Sequence, residues 1–438
     1  MQISKKGRDM MTPEIWMVAG AFLFMIVFMV WGKIEPCTVI MLALGFLWLT
    51  GILDTATAFG EFSGDVIVIM VFMMMCSAGL MKTDILYNIT EFIKKMHGGE
   101  KTLFTVAMIA PFILCQFMGG VTALVTTVPL LIGMADANKV PRTRLILPAL
   151  VGSQFGIGLF PIGFGVSLFM QKNQFLSAMD SAYRMGFWDT MFTRLPGVLL
   201  SMAFVLFIGY KLLPAVPGRC RGDIPDEVKM KRSTLPAWKS AAAYIIFVAV
   251  LVGMIFSKQI GFSMAQIAFA GAMLYVVLGI LSQREAFASV YWPVCFMVAF
   301  CVALSAAVTS TGAADLIAGY AGKFITSDIS ITILCIVVFL FCSVVTQFCD
   351  NSALVYITMP VVIAACGGVG INPLPLVCCV DLSSTASIMT PLSGPGGMVA
   401  YTMGGYSYTD MIKFGTPIIL IQAIVTAVWV PFYFTVLA

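Results

Sequence analysis

Charged residues are scarce in this sequence of 438 residues, at 11% of the chain, whereas hydrophobic residues make up 60%. This composition excludes a soluble multidomain protein. The apolar runs between charged stretches approach the length of about 20 residues that a membrane-spanning helix needs. They do not alternate in polarity as the strands of a membrane barrel do. The sequence therefore predicts an all-α integral membrane protein embedded in a lipid bilayer.

Residues with catalytic or metal-binding chemistry are equally sparse. The chain has one histidine, and it shows no metal cluster, nucleophile elbow or phosphate loop. We therefore expect no enzyme activity and no cofactor. The net charge of +4 comes from dispersed basic residues, which argues against a nucleic-acid partner. The twelve cysteines lie mostly inside apolar runs and are interpreted as packing residues.

Hydrophobic runs between charged breaks predict about ten transmembrane helices. They are placed near 13–31, 37–52, 65–81, 144–170, 195–213, 240–257, 261–281, 287–310, 372–400 and 411–437. Two further stretches, at about 103–134 and 329–366, are interrupted by polar and small residues. Non-helical backbone at membrane depth survives only when it is buried in protein or lines a wet cavity. Both stretches are therefore predicted to be re-entrant hairpins.

An internal repeat divides the chain into two halves. A shift of 231 residues aligns Gln116 with Gln347 and Pro129 with Pro360, and a shift of 230 aligns Ser153 with Ser383. The predicted domains are a first repeat over 1–213, a linker over 214–238 and a second repeat over 239–438. Each half has an odd number of crossings, which predicts inverted repeats. The distribution of Lys and Arg favours a cytoplasmic linker in a bacterial inner membrane.

Two acidic residues, Asp350 and Asp381, are placed within the predicted membrane segments, where no Lys or Arg is expected. An isolated carboxylate there is costly. Each therefore either caps a broken helix or holds a cation or proton. Oxygen ligands suit a hard cation, so Asp350, Asn351 and Ser352 are the candidate Na⁺ site.

Residues at the interruptions form the predicted substrate and ion site. In the second half these are Asp350, Asn351, Ser352, Asp381, Ser383, Ser384, Thr385, Thr390, Ser393, Gly394 and Gly396. In the first half they are Gly119, Gly120, Thr122, Ser153, Gln154, Gly163 and Ser167. Glycine and proline interrupt the helices here and expose N–H groups that suit an anion. Alternatively, the Ser and Thr hydroxyls bond only to their own helical turn.

The arrangement resembles the divalent anion/sodium symporter (DASS) family of the ion transporter superfamily. Family hairpins carry Ser-Asn-Thr at the tip and a proline nine residues after the asparagine, and Gly120–Pro129 and Asn351–Pro360 keep this spacing. Pro161–Ser167 and Pro391–Gly397 resemble the family's helix-breaking motif. Gly404–Pro417 is similar to its lead into the last helix. The tips depart from the motif, since they read Gly-Gly-Val in the first half and Asp-Asn-Ser in the second.

The resemblance implies a secondary active transporter that works as an elevator-type homodimer. The expected substrate is a small organic anion of the di- or monocarboxylate class, coupled to Na⁺ or H⁺. Two alternatives stay open. The buried aspartates and the expected absence of basic residues within the spans favour a cation/proton antiporter of the same superfamily. The altered tip of the first hairpin suggests an accessory membrane subunit that transports nothing alone.

Overall fold

The computed structural model describes residues 12–31, 34–84, 87–88, 91, 100–117, 119–162, 164–179, 181–214, 233, 235–314, 316, 330–348 and 351–437. Within these ranges all regular structure is helical and no strand occurs, which confirms the predicted all-α class. Among the described residues, five helical segments are long and apolar enough to cross a membrane: Thr55–Met81, Asp189–Leu212, Ala237–Ile255, Trp292–Ser310 and Tyr408–Leu437. The predicted linker lies largely outside the described residues.

The helices of the first half precede the linker. They are α1 (Pro13–Trp31), α2 (Pro36–Leu49), α3 (Thr55–Phe59), α4 (Asp65–Met81), α5 (Glu100–Leu114), α6 (Gly120–Ala137), α7 (Ile146–Gly156), α8 (Phe164–Ala178) and α9 (Asp189–Phe204). A π-helical turn extends α9 towards Leu212.

The helices of the second half follow the linker in a similar order. They are α10 (Ala237–Ile255), α11 (Met264–Val277), α12 (Gln283–Ala288), α13 (Trp292–Ser310), α14 (Ile331–Val345), α15 (Asn351–Val369), α16 (Leu374–Ser384), α17 (Pro395–Gly404) and α18 (Tyr408–Phe432). Helix α18 begins with a capping box, in which the side chains of Ser407 and Asp410 each accept a hydrogen bond from the other residue's backbone N–H.

The predicted interruptions are observed as breaks between consecutive helices. Helices α5 and α6 pack on each other in the first predicted hairpin, and α14 and α15 occupy the second. In the second hairpin, α15 begins at Asn351. A second kind of break separates α7 from α8 and α16 from α17. At the latter, Gly394 has a φ of 115°, and Pro395 then begins α17.

The sequence placed two helix ends wrongly. Helix α8 continues to Ala178 rather than ending near 170, and α9 begins at Asp189 rather than near 195. The charged residues Lys172 and Arg194 set the predicted ends, because an isolated charge is costly in a membrane segment. Both residues are buried and hold a carboxylate between them, so the helices run past them.

Packing divides the helices into two groups. Helices α1 to α4, α10, α11 and α13 pack mainly on one another. The hairpin helices pack with α7, α9, α16, α17 and α18. Helices α8 and α15 contact members of both groups. Three of the four hairpin helices and the break between α16 and α17 therefore lie in the second group, and α8 and α15 join the two groups.

Close backbone contact holds the first hairpin against the following helix. A Cβ atom added to Gly152 in α7 would lie 2.0 Å from the carbonyl oxygen of Met108 in α5, whereas one added to Gly133 in α6 would meet nothing within 4 Å. Backbone cannot rotate away from such a contact as a side chain can. Glycine at 152 is therefore required by the packing of α5 on α7.

We expect Gly152→Ala to destabilise the protein by about 1–3 kcal/mol, because the two helices must separate to admit the methyl group. The matched control Gly133→Ala lies on an exposed helix face and should be neutral or stabilising by up to about 1 kcal/mol. The midpoint of thermal unfolding in detergent measures both effects. Equal midpoints for the two variants would contradict the close contact.

Candidate functional site

A buried glutamine joins each hairpin to the neighbouring helix break. The Nε2 atom of Gln116 donates to the carbonyl of Gly156 at 2.8 Å and to that of Phe112 at 2.9 Å. The Nε2 atom of Gln347 donates to the carbonyl of Ala386 at 3.0 Å and to that of Ser343 at 2.9 Å. The two sets of bonds correspond in sequence. A shift of 231 residues relates the donors and the carbonyls of Phe112 and Ser343, and a shift of 230 relates the carbonyls of Gly156 and Ala386. Neither glutamine was among the predicted site residues, although the alignment of Gln116 with Gln347 was the available signal.

The second hairpin makes further polar contacts with its break. The Oε1 atom of Gln347 accepts a hydrogen bond from the N–H of Met389 at 3.0 Å. The backbone carbonyl of Gln347 accepts a hydrogen bond from the hydroxyl of Thr390. The Oδ1 atom of Asn351 accepts the hydroxyl of Thr346 at 2.9 Å, and its Nδ2 donates to the hydroxyl of Ser387 at 2.9 Å. Asn351 therefore links the predicted tip to the break between α16 and α17.

At the position aligned with Asn351, the first hairpin contributes backbone and no side chain to its break. A Cβ atom at Gly120, which aligns with Asn351, would lie 2.9 Å from the carbonyl oxygen of Ser153. The backbone of α6 therefore takes the space that a side chain would need. Thr122, two residues further on, is exposed.

Several predicted hydroxyl groups bond to their own helix, as the alternative interpretation expects. Ser153, Ser383, Ser384 and Thr385 each donate to the carbonyl three residues earlier, at 2.7–2.9 Å. Ser393 bonds to the carbonyls of Ser387 and Thr390 within the break. Each of these bonds uses the hydroxyl hydrogen. The hydroxyl oxygen can still accept a hydrogen bond from another group.

The two halves meet where α17 packs on α6 and α7. A Cβ atom at Gly396 would lie 3.2 Å from the Nε2 atom of Gln154, so these two predicted residues are neighbours. Ser167 is buried in α8, and its hydroxyl has no hydrogen-bond partner. Gly163 and Asp350 lie outside the described residues.

Asp381 in α16 is paired with two buried cations, which corrects the expectation that no Lys or Arg lies within the spans. Its Oδ2 atom lies 2.7 Å from Nζ of Lys172 in α8 and 3.5 Å from Nη1 of Arg194 in α9. The Nη2 atom of Arg194 donates to Thr385 at 3.0 Å. The ion pairs therefore fix three helices to one another, and Asp381 is not a simple helix cap.

The triad Lys172, Asp381 and Arg194 lies beside both helix breaks. A Cβ atom at Gly158, in the break between α7 and α8, would lie 3.4 Å from Nη1 of Arg194. Thr385, the other partner of Arg194, begins the break between α16 and α17. Two cations and one carboxylate leave a formal excess of one positive charge. A buried excess charge is costly unless an anion compensates it.

Other carboxylates near these helices have partners elsewhere. Asp189, at the start of α9, accepts the N–H of Gly186 at 2.6 Å and the hydroxyl of Tyr433 at 2.9 Å. Glu61 accepts a hydrogen bond from Gln174 at 2.7 Å. Among the described residues no group of three or more His, Cys, Asp or Glu is arranged to hold a metal ion.

Two curated relatives are described as uncharacterized transporters. YfbS of Escherichia coli (strain K12) is 26% identical over 220 residues, which are 48% of this chain and 34% of YfbS. The protein sll0640 of Synechocystis sp. (strain ATCC 27184 / PCC 6803 / Kazusa) is 24% identical over 201 residues, or 46% of this chain and 32% of that protein. The matches thus span about a third of each relative.

Two solved transporter structures match almost the whole chain. The YdaH transporter of Alcanivorax borkumensis has a TM-score of 0.63 at 14% identity, covering 96% of this chain and 97% of its own. MtrF of Neisseria gonorrhoeae, from a class of antimetabolite efflux pumps, has a TM-score of 0.62 at 13% identity, covering 98% and 96%. At these identities the likeness shows the fold alone.

The family model described as citrate transporter matches residues 26–265 and 251–437. Together these ranges include nearly the whole chain, both hairpins and all three members of the triad. The apolar helices, the shared fold and this match identify a multi-pass membrane transporter. The chain therefore belongs to the citrate transporter family, which is part of the ion transporter superfamily.

Proposed function

We propose that this protein is a secondary active transporter that moves a small organic anion across the bacterial inner membrane, coupled to Na⁺ or H⁺. The observation that carries the proposal is the buried triad, whose excess positive charge lies beside both helix breaks. Broken helices in transporters direct N–H groups towards anionic substrates. The fixed positive charge of the triad and the exposed N–H groups of the breaks both favour an anionic solute.

A cation/proton antiporter has less support from the observed contacts. That alternative depends on Asp350 and Asp381 being carboxylates without a basic partner, and of these two only Asp381 lies within the described residues. Lys172 and Arg194 already neutralise this carboxylate, both through its Oδ2 atom. A cation approaching Asp381 would meet two like charges, which oppose it strongly at short distance in a poorly polarisable interior.

Citrate is the first substrate to test, because the matching family is described by it. The finer resemblance to divalent anion/sodium symporters supports di- and monocarboxylates as a class. It also supports a Na⁺ site at Asp350, Asn351 and Ser352. Asn351 lies at the start of α15 with its amide in the polar network of the second break. Its carbonyl oxygen has a further lone pair that suits a hard cation.

The proposal includes inverted repeats and an elevator-type movement of a homodimer. The parallel bonds of Gln116 and Gln347 support the repeats, because each joins a hairpin to the break that follows it. The packing supports an elevator, because most of the hairpin helices and the break between α16 and α17 lie in one group of helices. Such a group can move as a unit past the other helices.

Counterflow in proteoliposomes tests the proposed function. Vesicles loaded with unlabelled citrate, succinate or lactate should take up the same labelled acid from outside, and an inward Na⁺ or H⁺ gradient should drive net accumulation. Protein-free vesicles are the control. An accessory subunit would show no counterflow with any acid, and an antiporter would instead release protons in exchange for a cation without organic-anion uptake.

We expect Asn351→Ala to raise the apparent KM for the coupling ion or the solute about tenfold, because it removes an oxygen from the proposed ion site and the link to Ser387. Asn138→Ala is the control, since the Asn138 side chain bonds only to Met134 at an exposed helix end. Initial rates of uptake across a range of Na⁺ and solute concentrations measure the change. Unchanged kinetics in folded Asn351→Ala would exclude Asn351 from the site.

A further inference from the structure

Arg194 has unused hydrogen-bonding capacity in a fully buried position. Its side chain is 1% exposed, and its Nε atom has no hydrogen-bond partner. Its Nη1 atom lies 3.5 Å from Asp381, whereas charge-assisted hydrogen bonds usually measure about 2.7–2.9 Å. Lys172 makes the shorter contact, at 2.7 Å. Asp381 is therefore bound mainly by Lys172, and the guanidinium group is only partly satisfied.

The surroundings of Arg194 leave a route for a second anion. The Asp381 side chain is 11% exposed, compared with 1% for Arg194 and 2% for Lys172, so water reaches the triad from the carboxylate side. Gly158 has a φ of 66°, and a Cβ atom there would lie 2.6 Å from Cδ1 of Leu168 and 3.4 Å from Nη1 of Arg194. The backbone of this turn therefore passes close to the guanidinium group without a side chain of its own.

We propose that Arg194 binds one carboxylate group of the transported anion, and that Asp381 is the internal anion that this carboxylate replaces. The inference rests on the proposed function and assigns the substrate-binding cation. In the empty protein Asp381 is shared by Lys172 and Arg194. When substrate binds, its carboxylate accepts hydrogen bonds from Nε and an adjacent Nη of Arg194, while Asp381 stays with Lys172.

Charge balance sets the preferred form of the substrate. The bound carboxylate neutralises the single excess positive charge of the triad. Additional carboxylates on the same substrate require their own compensation by a coupled cation, a proton or exposed N–H groups of the helix breaks. Arg194 is thus expected to recognise the feature that mono-, di- and tricarboxylates share, one planar carboxylate that fits a guanidinium fork.

Two double variants separate the roles of the cations. In the variant Lys172→Met/Asp381→Asn, Arg194 is the one charged member of the triad that remains. In Arg194→Met/Asp381→Asn, Lys172 is the one that remains. Both keep the triad's net charge of +1. The first should bind citrate at least as tightly as the wild type, because the competing carboxylate is gone. The second should bind it at least about tenfold more weakly, because the guanidinium fork is lost. Isothermal titration of purified protein with citrate, succinate and acetate measures the affinities.

A conservative pair covers the case in which a double variant does not fold, as judged by gel filtration. Arg194→Lys and Lys172→Arg preserve every charge. Only Arg194→Lys should weaken carboxylate binding, by about tenfold, since only it removes the fork from the proposed site. Equal affinities within either pair, or no binding of any of the three acids by the wild type, would overturn the assignment.

The outcome is distinguishable from failure of the proposed function. If the wild type binds citrate through Arg194 but shows no counterflow, the binding site stands and the transport proposal fails. If the wild type transports a carboxylate and Arg194→Lys does so with an unchanged KM, transport stands and the assignment of Arg194 fails.

Discussion

The position of one buried carboxylate constrains much of this protein. Asp381 lies in α16, immediately before a helix break, and it is held by Lys172 from α8 and Arg194 from α9. Removing one partner from a buried ion pair typically costs about 3–5 kcal/mol. The three helices must therefore keep their positions relative to one another whenever the charges remain buried. The triad thus joins residues from both halves of the chain at the breaks.

The sequence predicts the helical architecture well because membrane burial demands long apolar runs. The breaks at both hairpins and at the two later interruptions also follow from local composition, since Gly, Pro and polar residues oppose a continuous helix. Helix ends near Lys172 and Arg194 could not be predicted in this way. A charge normally marks the end of a membrane segment, and only the tertiary structure reveals that Asp381 neutralises it.

The residues of the candidate site were likewise predictable where the signal is local and not where it depends on tertiary contacts. The predicted residues Asn351, Ser383, Ser384 and Thr385 do lie at the second break, and the hydroxyls bond within their own helices. The sequence also identified Asp381, but it could not name the cations, because they are 209 and 187 residues away along the chain. Pairing between distant charges leaves no periodic or local signal in a single sequence.

The two hairpins are held to their breaks to different extents. Among the described residues, Gln116 makes the one hydrogen bond from the first tip to its break, to Gly156. Five hydrogen bonds join the second tip to its break, made by Thr346, Gln347, Asn351, Met389 and Thr390. Separating the first tip from its helix therefore breaks fewer bonds. We therefore expect the first tip to separate from its break more readily than the second, so that opening the two tips requires unequal free energies.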